Sequence, residues 1–439
     1  MSTKSLGTKS LLGVQGSKSS TGASQLSEKL EKGFTVLILL LATGGLLPLL
    51  RHGGEASTVG IAEGDPVARA IWIGVYVATF ALVAARWKLF VYVATRDKLL
   101  LLLVVLAMIS VLWSFDPGFT IRRSFALVGT TLIGIYFAMR YSLGEQLRLL
   151  AWAFGIAALL SLLFALAVPS IGISSKVESP GAWLGIFDHK NTLGSRMALG
   201  ALVFLLVGLS TRRYRKLAWA SLGLSVGLIL LSASQSSLVI FLTLPFLLGV
   251  YSMLRRPYTL AVPLSITLML LGGSAATWLL INLETVLTAL GRDVTLTGRT
   301  ELWDAVWEMI WRSPWLGYGY NAFWMGWEGP SASVWIATGA RHLHSHNGFL
   351  DLWLELGLVG IVVFVLGFLR TFLRAIVWAR STRTAEEYWP LMFLTFVFLS
   401  NITESRTLST NSIFWILYVA VTLSFLVPRG QRVKTGRLE

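Results

Sequence analysis

The sequence predicts an all-α, polytopic membrane protein with about twelve transmembrane helices and one large loop between the ninth and the tenth. Three observations predict it. Hydrophobic residues make up 55% of the 439 and charged residues only 13%, with a mean hydropathy of +0.69. A water-soluble globule has about a quarter of its residues charged and no interior large enough for so much apolar surface. Twelve apolar runs can cross roughly 30 Å of hydrocarbon, some only with tilt or local thinning. When the N-terminus is placed in the cytoplasm and the runs alternate, Lys and Arg gather in the cytoplasmic connections. The outer connections then carry a slight acidic excess.

Taken in order, residues 1–32 form a cytoplasmic N-terminal tail. It is rich in Ser, Thr, Gly and Lys, and its composition predicts disorder. A cleaved signal peptide is not expected, because the first apolar run begins late, near Phe34, with no small-residue cleavage site after it. Runs at 34–50, 70–85, 99–114, 124–139, 149–168, 193–209, 217–231, 238–254 and 260–281 supply nine helices within 33–281. Residues 282–348 are the large outer loop. Runs at 349–369, 389–400 and 411–427 complete the bundle within 349–427, and 428–439 form a second cytoplasmic tail.

Several classes of function are excluded or demoted. The net charge of +15, from 37 Lys and Arg against 22 Asp and Glu, would suggest nucleic acid in a soluble protein. Here it is a topology signal, and no nucleic-acid partner is expected. The absence of cysteine excludes disulfides, thiolate metal sites and cysteine nucleophiles. There is no Walker-A loop, no Gly-x-Ser-x-Gly and no Asp-x-Asp, so no cofactor and no metal-dependent use of a nucleotide sugar is expected. The centres of the spans largely lack the ionisable residues that an ion-coupled transporter keeps. Asp351 and Glu355 lie only one and two turns into the tenth span.

The 282–348 loop is too long for a connector and holds three of the five histidines and seven of the eighteen tryptophans. Thr300 reads as an N-cap with Glu301 in the first turn, and Pro314 stops the helix. Trp303, Trp307, Trp311 and Trp315 recur on one stripe, with Asp304, Glu308 and Arg312 on the next. Such a helix suits the membrane interface, or its rings, Trp303 among them, can stack on sugar faces. Arg299 follows Gly298 where the helix begins, a natural place for a phosphate or diphosphate, or for a plain surface salt bridge.

His342, His344 and His346 invite a metal reading, but no other histidine in the loop supplies a further ligand, so none is expected. His346 alone, at the start of an outward-facing helix, is kept neutral by the helix dipole and suits a general base. A structural histidine is the alternative. Other lip residues add cations: Lys190 and Asn191 with Arg196 just inside the sixth span, and Arg122 with Arg123 at the fourth. Together they suit a polyanionic headgroup, and singly each is an ordinary interfacial side chain.

These residues resemble the O-antigen ligase / Wzy-type polymerase superfamily. The resemblance is carried by Trp113-Ser114-x-Asp116-Pro117 with Arg122-Arg123, and by His189-Lys190-Asn191-Thr192-Leu193-Gly194. It continues with Thr297-Gly298-Arg299 before Trp303, with Pro314-Trp315-Leu316-Gly317-Tyr318-Gly319, and with His346-Asn347 followed by Gly357-x-x-Gly360. The spelling Leu290-Gly291-Arg292-Asp293-x-Thr295-Leu296-Thr297-Gly298-Arg299 is most similar to the exopolysaccharide-polymerase, ExoQ-like branch. The resemblance implies a bacterial inner-membrane, multi-pass glycosyltransferase with both termini cytoplasmic. It further implies polymerisation of undecaprenyl-diphosphate-linked repeat units on the periplasmic face, without metal and with inversion. His346 is then the base, Arg299 the loop arginine, and Lys190, Asn191, Arg196, Arg122, Arg123, Asn347 and Trp303 are candidates for holding substrate. Implied partners are a polysaccharide flippase, chain-length or export proteins, and membrane lipid. The alternatives are a ligase with lipid A-core as acceptor and, from another class, a polysaccharide or lipid-linked-sugar transporter. In one departure from the family, Gln235 stands in the Ser232–Ser237 turn where a basic residue is usual.

Overall fold

The computed structural model describes residues 17–50, 65–176, 179–282 and 299–427. Among these the elements are helices, and the one extended pairing is an isolated bridge between Ile173 and Trp183. The longer helices are α1 (Ser17–Ala42), α2 (Pro66–Ala84), α3 (Trp87–Ala94), α4 (Lys98–Ile109), α5 (Pro117–Arg140), α6 (Leu143–Ala167) and α7 (Lys190–Ser210). They continue as α8 (Arg215–Leu231), α9 (Gln235–Ser252), α10 (Tyr258–Ile281), α11 (Arg299–Arg312), α12 (Gly348–Ser381), α13 (Trp389–Thr403) and α14 (Ile413–Ser424).

Each of the twelve apolar runs falls on a helix. Five helical segments are long and apolar enough to cross a membrane: α2, α6, α7, α9 extended to Arg255, and α12. The protein is therefore a multi-pass helical membrane protein. Two details differ from expectation. α1 begins at Ser17, so the part of the expected tail from Ser17 onward is helical, while residues 1–16 and the 428–439 tail lie outside the described residues. α11 already contains Arg299, so Thr300 is in the first turn and is not the cap; residues 283–298, with the Leu290–Gly298 motif, also lie outside the described residues.

The connections fall into two sets that touch among themselves. At one end, Glu31 pairs with Arg86 at 3.2 Å and Arg140 at 3.0 Å. At the same end Glu386 forms an ion pair with Arg148 at 3.8 Å, and Arg255 donates to Thr382 and Thr384. At the other end, Arg196 donates to the Thr43 carbonyl at 2.8 Å, Trp183 N–H to Leu231 O, and Trp113 to Leu316 O. Asn191 there reaches Glu404 at 3.2 Å. Successive connections thus return to alternating ends, and every candidate site residue belongs to the second end.

Apolar packing forms one large core through the bundle and a smaller one under the 299–348 segment. The small core explains how α11 lies. Leu302, Val306, Met309 and Ile310 recur at helical spacing and are buried with Phe323, Val334, Leu350 and Leu354. Of the tryptophan stripe, Trp303 packs against this core, whereas Trp311 and Trp315 turn away and are 68% and 66% exposed.

α12 is broken at Gly357, where φ is 65° and ψ is −168°, a region open almost only to glycine. The break frees backbone groups that the turn at 313–320 satisfies. Tyr318 N donates to Leu354 O at 2.8 Å and Gly319 N to Glu355 O at 3.0 Å, while Leu358 N donates to Pro314 O at 2.8 Å. The turn is also fixed from the other side, because Phe115 N donates to Tyr318 O and a Cβ on Gly319 would overlap Ser114. The Trp113-Ser114 and Pro314–Gly319 motifs are thus packing motifs, which seat the loop on the broken helix.

Candidate active site

His346 lies two residues before α12 with φ +54°, and Asn347 is the N-cap. Its backbone N–H donates to His344 Nδ1 at 3.1 Å, and the two rings lie 4.1 Å apart. That bond leaves Nε2 of His344 as its N–H. His346 Nδ1 is 3.9 Å from Glu404 Oε2, beyond hydrogen-bond reach. Glu404 comes from the short connection between α13 and α14, and Asn191 of α7 donates to its other oxygen.

Charge around this cluster is mixed. Burial lowers the His344 pKa to about 4, with the positive charge of Arg406 contributing. His346 is also lowered, first by burial and then by His344, Arg299 and His342, against the opposing pull of Glu404. Burial would raise Glu404, but Arg406, the two histidines and Arg299 outweigh it and keep the carboxylate ionised. Two neutral imidazoles, one carboxylate and two guanidinium groups therefore share the site. Its net positive charge, confined in low dielectric, suits an anion.

The sequence-derived residues separate into three groups. Arg299, His346 and Asn191 come together around Glu404, and Arg196 lies behind them. Arg196 is only 7% exposed, with its guanidinium 4.4 Å over Phe414 and 3.3 Å from Ser195 Oγ. Lys190 begins α7 beside His189 and interacts with that ring electrostatically. A second group is committed to structure. Asn347 Oδ1 accepts from Phe349 N and Leu350 N, so its carbonyl is used as a cap and only its NH2 remains to offer. Trp303 donates to Ser345 O at 2.9 Å and braces the histidine turn. The third group lies elsewhere. Arg122 and Arg123 flank the Phe119 ring at 5.8 and 4.9 Å, and Arg123 faces Glu355 and Tyr320. Among the described residues no hydrogen bond or ion pair joins either arginine to His346 or Glu404.

Sequence reasoning missed Glu404 and Arg406. Arg406 donates to Ser195 Oγ at 3.1 Å and lies 5.0 Å over the same Phe414 ring as Arg196. Neither residue belongs to a motif, and a reading that looked in the longest loop passed over a connection of nine residues. Glu404 also changes the metal argument. His344, His346 and Glu404 place one ligand atom each within 4.8 Å of one another, so the third ligand that the loop lacked is supplied by another part of the chain. The charge of Arg299 on all three groups, and of Arg406 on His344 and Glu404, opposes a bound dication.

Gln235 is exposed at the first position of α9, and its turn packs on Gly194, whose Cβ would overlap Ser234. The departing position therefore borders the Lys190–Gly194 motif.

The Wzy_C family model, described as O-antigen ligase, matches residues 220–365, which include Arg299 and His346. The fold and these matches support an O-antigen ligase-like, ExoQ-like membrane protein. It is similar to the exopolysaccharide production protein ExoQ of Rhizobium meliloti (strain 1021), with 27% identity over 277 residues. The matched region covers 59% of this chain and 60% of that relative.

Proposed function

We propose that the protein joins lipid-linked oligosaccharide repeat units into exopolysaccharide at the periplasmic face of the inner membrane, as a metal-independent inverting glycosyltransferase. The observation that carries this reading is the meeting of neutral His346, the Glu404 carboxylate and the cations Arg299 and Arg406 at one end of the bundle. The similarity to an exopolysaccharide production protein supports the product class. All twelve apolar helices then span the membrane, with both termini in the cytoplasm; the alternation of the connections supports this.

In the reaction, the acceptor hydroxyl gives its proton to His346 as its oxygen bonds to the anomeric carbon of the donor. The bond from that carbon to the lipid diphosphate breaks, and the electron pair leaves with the diphosphate. Arg299 holds the diphosphate and stabilises the charge that develops. Asn191 steadies Glu404, which faces the imidazolium as it forms. Bound diphosphate offsets the arginine charges that depress His346, so the base gains strength when substrate arrives.

The family model is described as O-antigen ligase, which keeps lipid A-core as the alternative acceptor. Deletion of the gene separates the two. Loss of polymer with lipid-linked single units still forming supports the polymerase, whereas intact polymer that is no longer attached to lipid A-core indicates the ligase. Purified protein is expected to work in excess EDTA. Activity lost to chelator and restored by one particular divalent ion would overturn the metal-free mechanism and assign an ion to His344, His346 and Glu404.

A further inference from the structure

We propose that Asp351 is a positioning residue, holding the histidine turn and the Glu404 turn in register; this rests on the reading of His346 as the base. Asp351 is on the first turn of α12 and 6% exposed. Its carboxylate accepts from three separate segments: Trp324 Nε1 at 2.9 Å, Ser345 N at 3.1 and 3.3 Å, and Ser405 Oγ. Every one of these neighbours is a donor. Only an acceptor-only group satisfies all of them, and the start of a helix favours it.

The two serines are what make this more than a packing contact. Ser345 is the middle residue of His344-Ser345-His346, and Ser405 is the middle residue of Glu404-Ser405-Arg406. Asp351 therefore grips both triplets at their centres, and the four ionisable side chains of the site flank its two points of attachment. Ser345 is held further, since Trp303 donates to its carbonyl and its hydroxyl donates to Asn347 O at 2.8 Å. His346 has a left-handed backbone that a non-glycine residue keeps only when its surroundings enforce it.

The groups facing His346 are His342 and His344 on its own turn, Glu404 from the α13–α14 connection, and Arg299 from α11. Glu355 lies one turn below Asp351 and faces Arg123. Of those facing His346, only Glu404 favours its protonated form. Loosening the Asp351 clamp moves Glu404 away, so the base should titrate lower.

The test measures membrane abundance, kcat, KM and the pH profile for Asp351→Asn, Ser405→Ala and His346→Ala, with a lipid-diphosphate oligosaccharide as substrate. In Asp351→Asn an amide N–H2 faces donors. We expect normal abundance, a little-changed KM, a kcat lower by on the order of a hundredfold, and an acid limb of kcat/KM moved to lower pH. Ser405→Ala removes one of the three donors and should shift the limb in the same direction, with a loss on the order of tenfold. If Asp351→Asn does not accumulate, Ser405→Ala decides alone. An unmoved acid limb with His346→Ala inactive overturns the clamp and leaves the base reading intact. An active His346→Ala overturns the base reading itself, and the clamp with it.

Discussion

Ser345 and Asn347 are both tied down, and His346 between them has little freedom to turn its ring away from Glu404. His346→Ala should therefore abolish polymer at unchanged membrane abundance; near-normal polymer would end its role as base. Because His344 accepts the His346 backbone N–H and packs edge-on against its ring, His344→Ala should be costly as well. His342→Ala is the milder change, since among the described residues no hydrogen bond or ring pairing joins it to His346 and it acts there only electrostatically. Arg299→Lys keeps charge but loses the planar fork, and should cost on the order of 3 kcal/mol, about a hundredfold in rate. Arg341→Ala, on an exposed position, is the control. The salt-bridge alternative for Arg299 is weakened because Glu308 already pairs with Arg312 at 2.6 Å. The pH profile follows from the depressed His346 pKa. The neutral base exists above its folded pKa, which lies below the ordinary 6.5, and is lost as pH falls through it. Bound diphosphate raises that pKa, so the acid limb of kcat should lie at higher pH than that of kcat/KM. Coincident limbs, or the reverse order, would remove the substrate from the electrostatics of the base.

Among the elements, the broken helix was the least legible in the sequence. The apolar run at 349–369 is continuous across Gly357, and nothing in its periodicity marks a break; the reason lies in the 313–320 turn, far away in sequence. A Cβ on Gly357 would overlap the Trp315 carbonyl, in a conformation that alanine avoids. Gly357→Ala should therefore destabilise the protein by about 2 kcal/mol or more, seen as a lower unfolding temperature in detergent. An unchanged temperature would mean that the turn does not depend on the break. α11 was more legible, because its buried face and its tryptophan stripe both follow the helical period. What each stripe faces was not legible, since the small core under the loop is built from Phe323, Val334, Leu350 and Leu354, which come from other segments.

Across the whole molecule, hydropathy located the twelve apolar helices because apolarity along a helix is a property of each segment by itself. The site was half legible for the opposite reason. His346, Arg299 and Asn191 lie in recognisable motifs, while Glu404 and Arg406 acquire meaning only when α13 and α14 bring their connection against α7 and α12. Orientation can be measured directly, because the chain has no cysteine to interfere. Single cysteines at Arg341 and at Arg383 should differ: a membrane-impermeant maleimide added to intact spheroplasts should label the first and reach the second only after lysis. Equal labelling would overturn the alternating topology. The position of Glu404 and Arg406 near the end of the chain also has a consequence for biogenesis. A nascent chain that has inserted as far as α12 already carries its histidines and Arg299, but not the carboxylate that faces the base or the second guanidinium. On the proposed reading the site is completed only by the last hairpin to insert, so a partly inserted chain should be inactive on lipid-linked sugars.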